Sequence, residues 1–240
     1  MRDGDPWMTT LISLTFDDGW KSTVERGVPI LDQAGIRATF YVMASPPETG
    51  FANEAYATPD QIRALHSSGH EVGSHTISHP HLPVLSADAA REEIVGSAES
   101  LRKWSLPIDT FAYPYGEHTP AIIDMVREAG YLGARGTRPG YNDASSDRFL
   151  LNCRAVNITT SFALVRRWIE AAQVENRWLI LMFHQVEPTT AALAKGKAFF
   201  GTTTSLLAQM VDYLASAQME VVTVRNGLRR VFGESRGHAH

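Results

Sequence analysis

A chain of 240 residues, 44% hydrophobic and 20% charged, has the length for one domain or one large barrel and too ordinary a composition for disorder. Its formal net charge of −4 offers no basic surface to nucleic acid or to an acidic membrane, so neither is expected as a partner. The single cysteine, Cys153, excludes an intrachain disulfide.

Residues 1–10, MRDGDPWMTT, read as a polar N-terminal extension without the features of a signal peptide. From Leu11 the chain alternates short β-type runs with longer helical stretches. Strands are expected at 11–16, 38–43, 70–75, 110–115, 132–137, 153–158, 178–184 and 220–225. Several are continuous apolar runs, the pattern of strands buried on both faces of a parallel sheet. The longest of these runs are far too short to span a bilayer, so no transmembrane segment is expected. Between them lie helical stretches at 22–35, 58–69, 86–104, 119–130, 161–173 and 202–218. Thr58-Pro59 and Thr119-Pro120 place a cap before a helix-compatible proline, while Ser22 and Ser86 are further candidate caps; Gly35, Gly69 and Gly130 are stops. Strand–helix alternation gives an α/β fold with right-handed crossovers, and this number of units in this length fits a closed or nearly closed barrel. The domain is expected over 11–232, followed by a flexible tail at 233–240.

In such a barrel, chemistry collects where the C-terminal ends of the strands enter the βα loops. The first strand ends in Asp17 and Asp18, the third runs into His75 with His79 four residues on, the fourth ends in Tyr113-Pro114-Tyr115-Gly116, and the strand at 178–184 ends in His184. Two histidines four apart can aim two imidazoles at one point, and neutral imidazole suits zinc and similar divalent metals. A carboxylate from the Asp pair is the natural third ligand. The same HxxxH also reads as two surface histidines on a polar loop, and DDG as a simple turn or cap. A bound cation would make two adjacent acids tolerable, leaving one of them free to act as a base. His184 can act as an acid, or can be a core histidine bonded to backbone. His81 is a weaker ligand candidate, because Pro80 redirects the chain. Trp20, Phe51, Tyr56 and Tyr141 are candidates for stacking on sugar rings or for ordinary packing.

In this order, TFDDG (15–19), HTISH (75–79), FAYPYG (111–116) and LILMFH (179–184) resemble the motifs of the polysaccharide deacetylase, or NodB-homology, family. The third motif is similar to that of a branch containing exopolysaccharide deacetylases, such as those acting on poly-N-acetylglucosamine. The resemblance implies a distorted (β/α) barrel of seven strands, one fewer than the eight counted above. It implies a metal-dependent hydrolase that removes N-acetyl groups from N-acetylglucosamine-containing poly- or oligosaccharides. Asp18, His75 and His79 would hold a divalent metal, zinc first, with cobalt or nickel as alternatives. Asp17 would be the general base and His184 the general acid, with the Tyr115 backbone N–H in an oxyanion hole and Leu181 lining the acetyl-methyl pocket. It further implies a secreted, periplasmic or cell-envelope location, although this chain carries no signal peptide and a cytoplasmic one stays open. Other readings are an O-acetyl xylan esterase on the same site and a non-catalytic carbohydrate-binding domain. The family's arginine in the third motif, partner of the base, is replaced by Ala112, and its DxxDW motif has no match in 141–157. Arg154 is the candidate to orient Asp17 in its place, or else a structural arginine.

Overall fold

The structure, a computed structural model, describes residues 10–47, 55–195 and 199–233. Seven parallel strands form a closed barrel: β1 (Leu11–Phe16), β2 (Thr39–Val42), β3 (Glu71–Ser74), β4 (Thr110–Ala112), β5 (Gly133–Pro139), β6 (Leu151–Ala155) and β7 (Trp178–Phe183). β1 closes it by pairing with β7 over its whole length, from Leu11↔Trp178 to Phe16↔Phe183. On its other edge β1 meets β2 only at Thr15 and Phe16, and the lower half of that edge is filled by Glu220 and Val221. This closed but irregular arrangement is the expected distorted barrel.

The eighth expected strand, 220–225, is thus reduced to a two-residue wedge on the lower edge of β1, beside the seven barrel strands. Its second half is helical instead. Thr223 accepts a hydrogen bond from the Asn226 N–H and starts a helix at Val224–Phe232. Val224, Leu228 and Val231 recur at helical spacing and plug the lower end of the barrel against Leu11, Leu151 and Trp178. The expected 153–158 strand begins earlier, at Leu151, and the expected 110–115 strand ends at Ala112 in a tight turn, Pro114–Gly116.

Strand side chains alternate between two cores. Ile12, Leu14 and Phe16 of β1, with Leu179, Leu181 and Phe183 of β7, face outward into a large core shared with the helices at Val28–Gln33, Phe162–Glu175 and Thr204–Ser216. Each fully buried Leu or Phe there contributes roughly 1.5–3 kcal/mol. Leu11, Cys153, Trp178, Ile180 and Met182 face inward. The interior is tight: a Cβ on Gly73 would stand 2.6 Å from the Tyr41 ring, so only glycine fits opposite that side chain. At the lower end Glu71 is buried. It accepts hydrogen bonds from Thr39 Oγ1 (2.9 Å), Thr110 Oγ1 (2.5 Å) and the Arg225 N–H of the plugging helix (2.8 Å).

Thr58 forms a full capping box with Gln61, and Ser86, Thr119, Ser161 and Thr203 each cap a helix. Ser22 does not: it is already helical and makes no capping bond. Two helices contain a π-helical turn, at Thr23–Gly27 and Glu92–Gly96. Among the described residues no helix is long and apolar enough to cross a membrane.

Candidate active site

The first-strand acids divide as they leave β1. Asp17 continues the inward alternation of Leu11, Ser13 and Thr15, and its N–H still bonds to Phe183 O (2.9 Å), beside His184. Asp18 turns away with φ 71, a left-handed conformation that costs a non-glycine residue energy. Its Oδ2 accepts a hydrogen bond from Trp20 Nε1 at 2.9 Å. Its Oδ1 lies 3.3 Å from His75 Nε2 and 3.4 Å from His79 Nε2, buried and without a hydrogen-bond partner.

The three ligand atoms lie within 4.8 Å of one another. His75 Nδ1 meets Ala112 O at 2.8 Å; as donor to that carbonyl it leaves Nε2 with a free lone pair facing Asp18. A buried carboxylate oxygen with no donor, facing two imidazole nitrogens, could hold a cation: carboxylate and imidazole are donors that zinc takes in open sites. Burial alone would raise the Asp18 carboxyl. Contact with His75, together with His184 and His79, outweighs burial and holds it well below the usual carboxylate range. Burial and repulsion from His75 push His79 down to about 4, so its imidazole is neutral near pH 7. Burial would lower His75, but Asp18 and Asp17 hold it above its ordinary value.

Asp17 is held by an arginine outside every motif, 118 residues away in sequence. Arg135 of β5 donates from Nη2 to both carboxylate oxygens, at 2.5 and 2.6 Å. Arg135 is fully buried and Asp17 is 3% exposed, so this is an interior ion pair. The guanidinium also packs over Tyr41, 5.2 Å from the ring centroid, and Nη1 meets Met182 Sδ at 3.0 Å. Arg154, the expected orienter, does not take this place. It follows the inward-facing Cys153 by one residue, and its guanidinium lies over the Tyr141 and Trp168 rings, the latter on the outer helix Phe162–Glu175. Leu181 is corrected on the same ground: it is buried in the outer core, on the opposite face of β7 from His184. Met182 is the β7 residue that shares a face with His184 and touches Arg135.

The remaining parts are braced from the helices. Glu93, in one π-helical turn, accepts from the N–H groups of Ile77 (2.8 Å) and Ser78 (3.0 Å) and from the Ser78 hydroxyl (2.7 Å), fixing the His75–His79 loop. Thr23, in the other, donates to His184 O at 2.7 Å. Such turns recur near functional sites because they re-aim side chains. Positive φ at Thr76, His79 and Tyr115 joins that of Asp18, concentrating backbone strain at this end of the barrel. Gly116 carries φ 72, and a Cβ there would strike Thr137 Oγ1, so the turn bearing Tyr115 requires glycine. The Tyr115 ring packs edge-on against His79 (4.5 Å) and stacks on His81 (4.0 Å), while His81 Nδ1 pairs with Glu117 at 2.8 Å. His81 is therefore not one of the clustered ligands. Trp20 is buried and stacked on Tyr56, Tyr141 bonds Trp168 O, and Phe51 lies outside the described residues.

The family model "Polysaccharide deacetylase" matches residues 8–134. A chitin deacetylase of Colletotrichum lindemuthianum is 39% identical over 106 residues, 44% of this chain and 40% of that protein. A peptidoglycan-N-acetylglucosamine deacetylase of Bacillus cereus is 31% identical over 131 residues, 53% of this chain and 44% of that protein. The chain spans about half the length of the curated relatives it matches. In fold it is similar to a family 4 carbohydrate esterase from Streptomyces lividans solved with acetate. That likeness has a TM-score of 0.58 at 19% identity, covering 88% of this chain and 91% of that one. With more than half its length matched by the family model, and Asp18, His75 and His79 gathered at the upper end of a closed parallel barrel, this chain belongs to the polysaccharide deacetylase family.

Proposed function

We propose that this protein is a metal-dependent hydrolase that removes N-acetyl groups from N-acetylglucosamine-containing poly- or oligosaccharides and releases acetate. The observation that carries the proposal is the donorless Asp18 Oδ1 between His75 Nε2 and His79 Nε2, beside an Asp17 clamped by Arg135. Asp18, His75 and His79 would hold a divalent cation, zinc before cobalt or nickel by this donor set. When bound, it would supply Lewis-acid polarisation of the acetamide carbonyl.

The protein's own groups do the rest. Asp17, oriented by Arg135, takes a proton as the oxygen of water bonds to the carbonyl carbon. The Tyr115 backbone N–H donates to the oxygen that gains negative charge. His184 delivers a proton to the amide nitrogen as the carbon–nitrogen bond breaks, leaving a free amine and acetate. Met182 shares a strand face with His184 and supplies apolar surface beside it. We place the site of action outside the cytoplasm, where such polymers lie; the likeness to a peptidoglycan deacetylase supports this.

An acetate-release panel on chitin oligomers, poly-β-1,6-N-acetylglucosamine, peptidoglycan and acetyl xylan tests the proposal. Release from an N-acetylated polymer, abolished by chelator and restored by zinc, is expected. Release from acetyl xylan alone would replace it with an O-acetyl esterase.

A further inference from the structure

We propose that Phe200 is the stacking platform for a pyranose ring, holding the sugar beside His184. Six large hydrophobic side chains stand exposed among the described residues: Val84, Tyr115, Leu164, Val174, Phe199 and Phe200. Two of them are aromatics in ring contact with candidate site histidines, Tyr115 with His79 and Phe200 with His184. Phe200 is 64% exposed, so it forgoes most of the gain that burial would bring. Its ring centroid lies 5.6 Å from that of His184, with the planes tilted by 41°, so the imidazole does not cover its face.

The position of Phe200 is built into the fold. Just past β7, Val186 and Glu187 pair in parallel with Thr202 and Thr203, and the Thr202 N–H bonds to Gln185 O at 2.8 Å. This short ladder ties the chain two residues after Phe200 to the chain one residue after His184. Around the barrel, β7 stands three strands from both β3 and β4, whose loops carry His79 and Tyr115. Phe200 therefore stands on the His184 side of the upper end, three strands around from the loop that carries Tyr115. An open aromatic face at the edge of a polar centre suits the C–H face of a pyranose ring, whose hydroxyls stay directed to water or polar groups.

This proposal rests on the saccharide reading above, and the test separates the two. The metal-loaded protein and its Phe200→Ala, Phe200→Trp and Val174→Ser variants are titrated with glucosamine oligomers, which bind without reacting, and assayed on N-acetylglucosamine oligomers and on a small acetate ester with no sugar ring. Phe200→Ala should weaken oligomer binding and raise KM about three- to tenfold, the span of a lost aromatic contact, with kcat within about twofold and ester hydrolysis unchanged. Phe200→Trp should retain binding, and Val174→Ser, on the far surface of its helix, should match wild type. Oligomer affinity and KM unchanged in Phe200→Ala, or no oligomer binding by the wild type, would overturn the platform. Phe200-dependent binding without acetate release would leave the platform standing and sink the deacetylase reading.

Discussion

The barrel encloses two buried acidic centres, one at each end, and they are built on opposite principles. At the lower end, both oxygens of Glu71 are satisfied by two threonine hydroxyls and a helix N–H. The upper end keeps Asp18 Oδ1 without a donor, sets two histidines around it and holds four non-glycine residues at positive φ. A saturated acid fastens secondary structure; an unsaturated one facing two imidazoles leaves room for a further partner. Replacing residues at the upper end should therefore damage chemistry first, and at the lower end stability first.

The largest effect is expected from His75→Ala. Acetate release should fall by about a thousandfold or more, some 4 kcal/mol of barrier, with little change in the thermal unfolding midpoint. Unfolding on that substitution would move the Asp18, His75 and His79 group to the structural side of the comparison. Arg135→Met comes next and joins both kinds of effect. Breaking an interior ion pair costs about 3–5 kcal/mol in urea unfolding. Loss of the guanidinium that orients Asp17 should also lower kcat for acetate release per folded molecule. An unchanged kcat would show that Arg135 does not position Asp17. Glu71→Gln should cost roughly 1–3 kcal/mol of stability while specific activity per folded molecule stays at the wild-type level; a drop in activity without loss of stability would erase the distinction between the two ends.

A smaller, pH-dependent effect is expected at His70. Its Nδ1 accepts from the Ala38 N–H at 3.1 Å, and Nε2 donates to Asp32 at 3.2 Å, so the fold holds the neutral ring. Burial lowers its pKa from 6.5 despite Asp32. The unfolded chain then takes up a proton that the folded one resists, and stability should fall as pH drops below about 6.5. His70→Gln, which can keep both bonds, should flatten that slope in urea titrations across pH 5–7; an identical slope would exclude His70 as its source. The smallest effect is at Arg154: the alanine variant should lose about 1–2 kcal/mol of stacking on Tyr141 and Trp168 and keep full activity.

Much of the upper centre was legible in the chain. Asp17-Asp18 after an apolar run, HxxxH after another and His184 after the most apolar strand are local patterns, and local patterns survive in one dimension. What was missed depends on strand parity and on partners distant in sequence. Arg135 and Asp17 lie 118 residues apart, and only closure of β5 and β1 into one barrel faces them inward. Arg154 lies in the strand after the segment with no DxxDW match, yet it follows Cys153 by one residue and so points to the outer helices. Leu181, implied by the family resemblance, lies in the outer core, and the period of two puts Met182 on the face of His184. Glu93 had no signal at all, because its role comes from a π-helical turn. The helix at Val224–Phe232 did have one, the Val224, Leu228 and Val231 spacing, hidden behind a β-rich EVVTV run.

The most direct test of the central claim is a zinc titration by calorimetry of chelator-treated wild type and Asp18→Asn, a substitution that tolerates the left-handed backbone at this position. The account predicts one tight equivalent in the wild type and its loss in the variant, with circular dichroism unchanged. Equally tight binding in both, or none in the wild type, would contradict it.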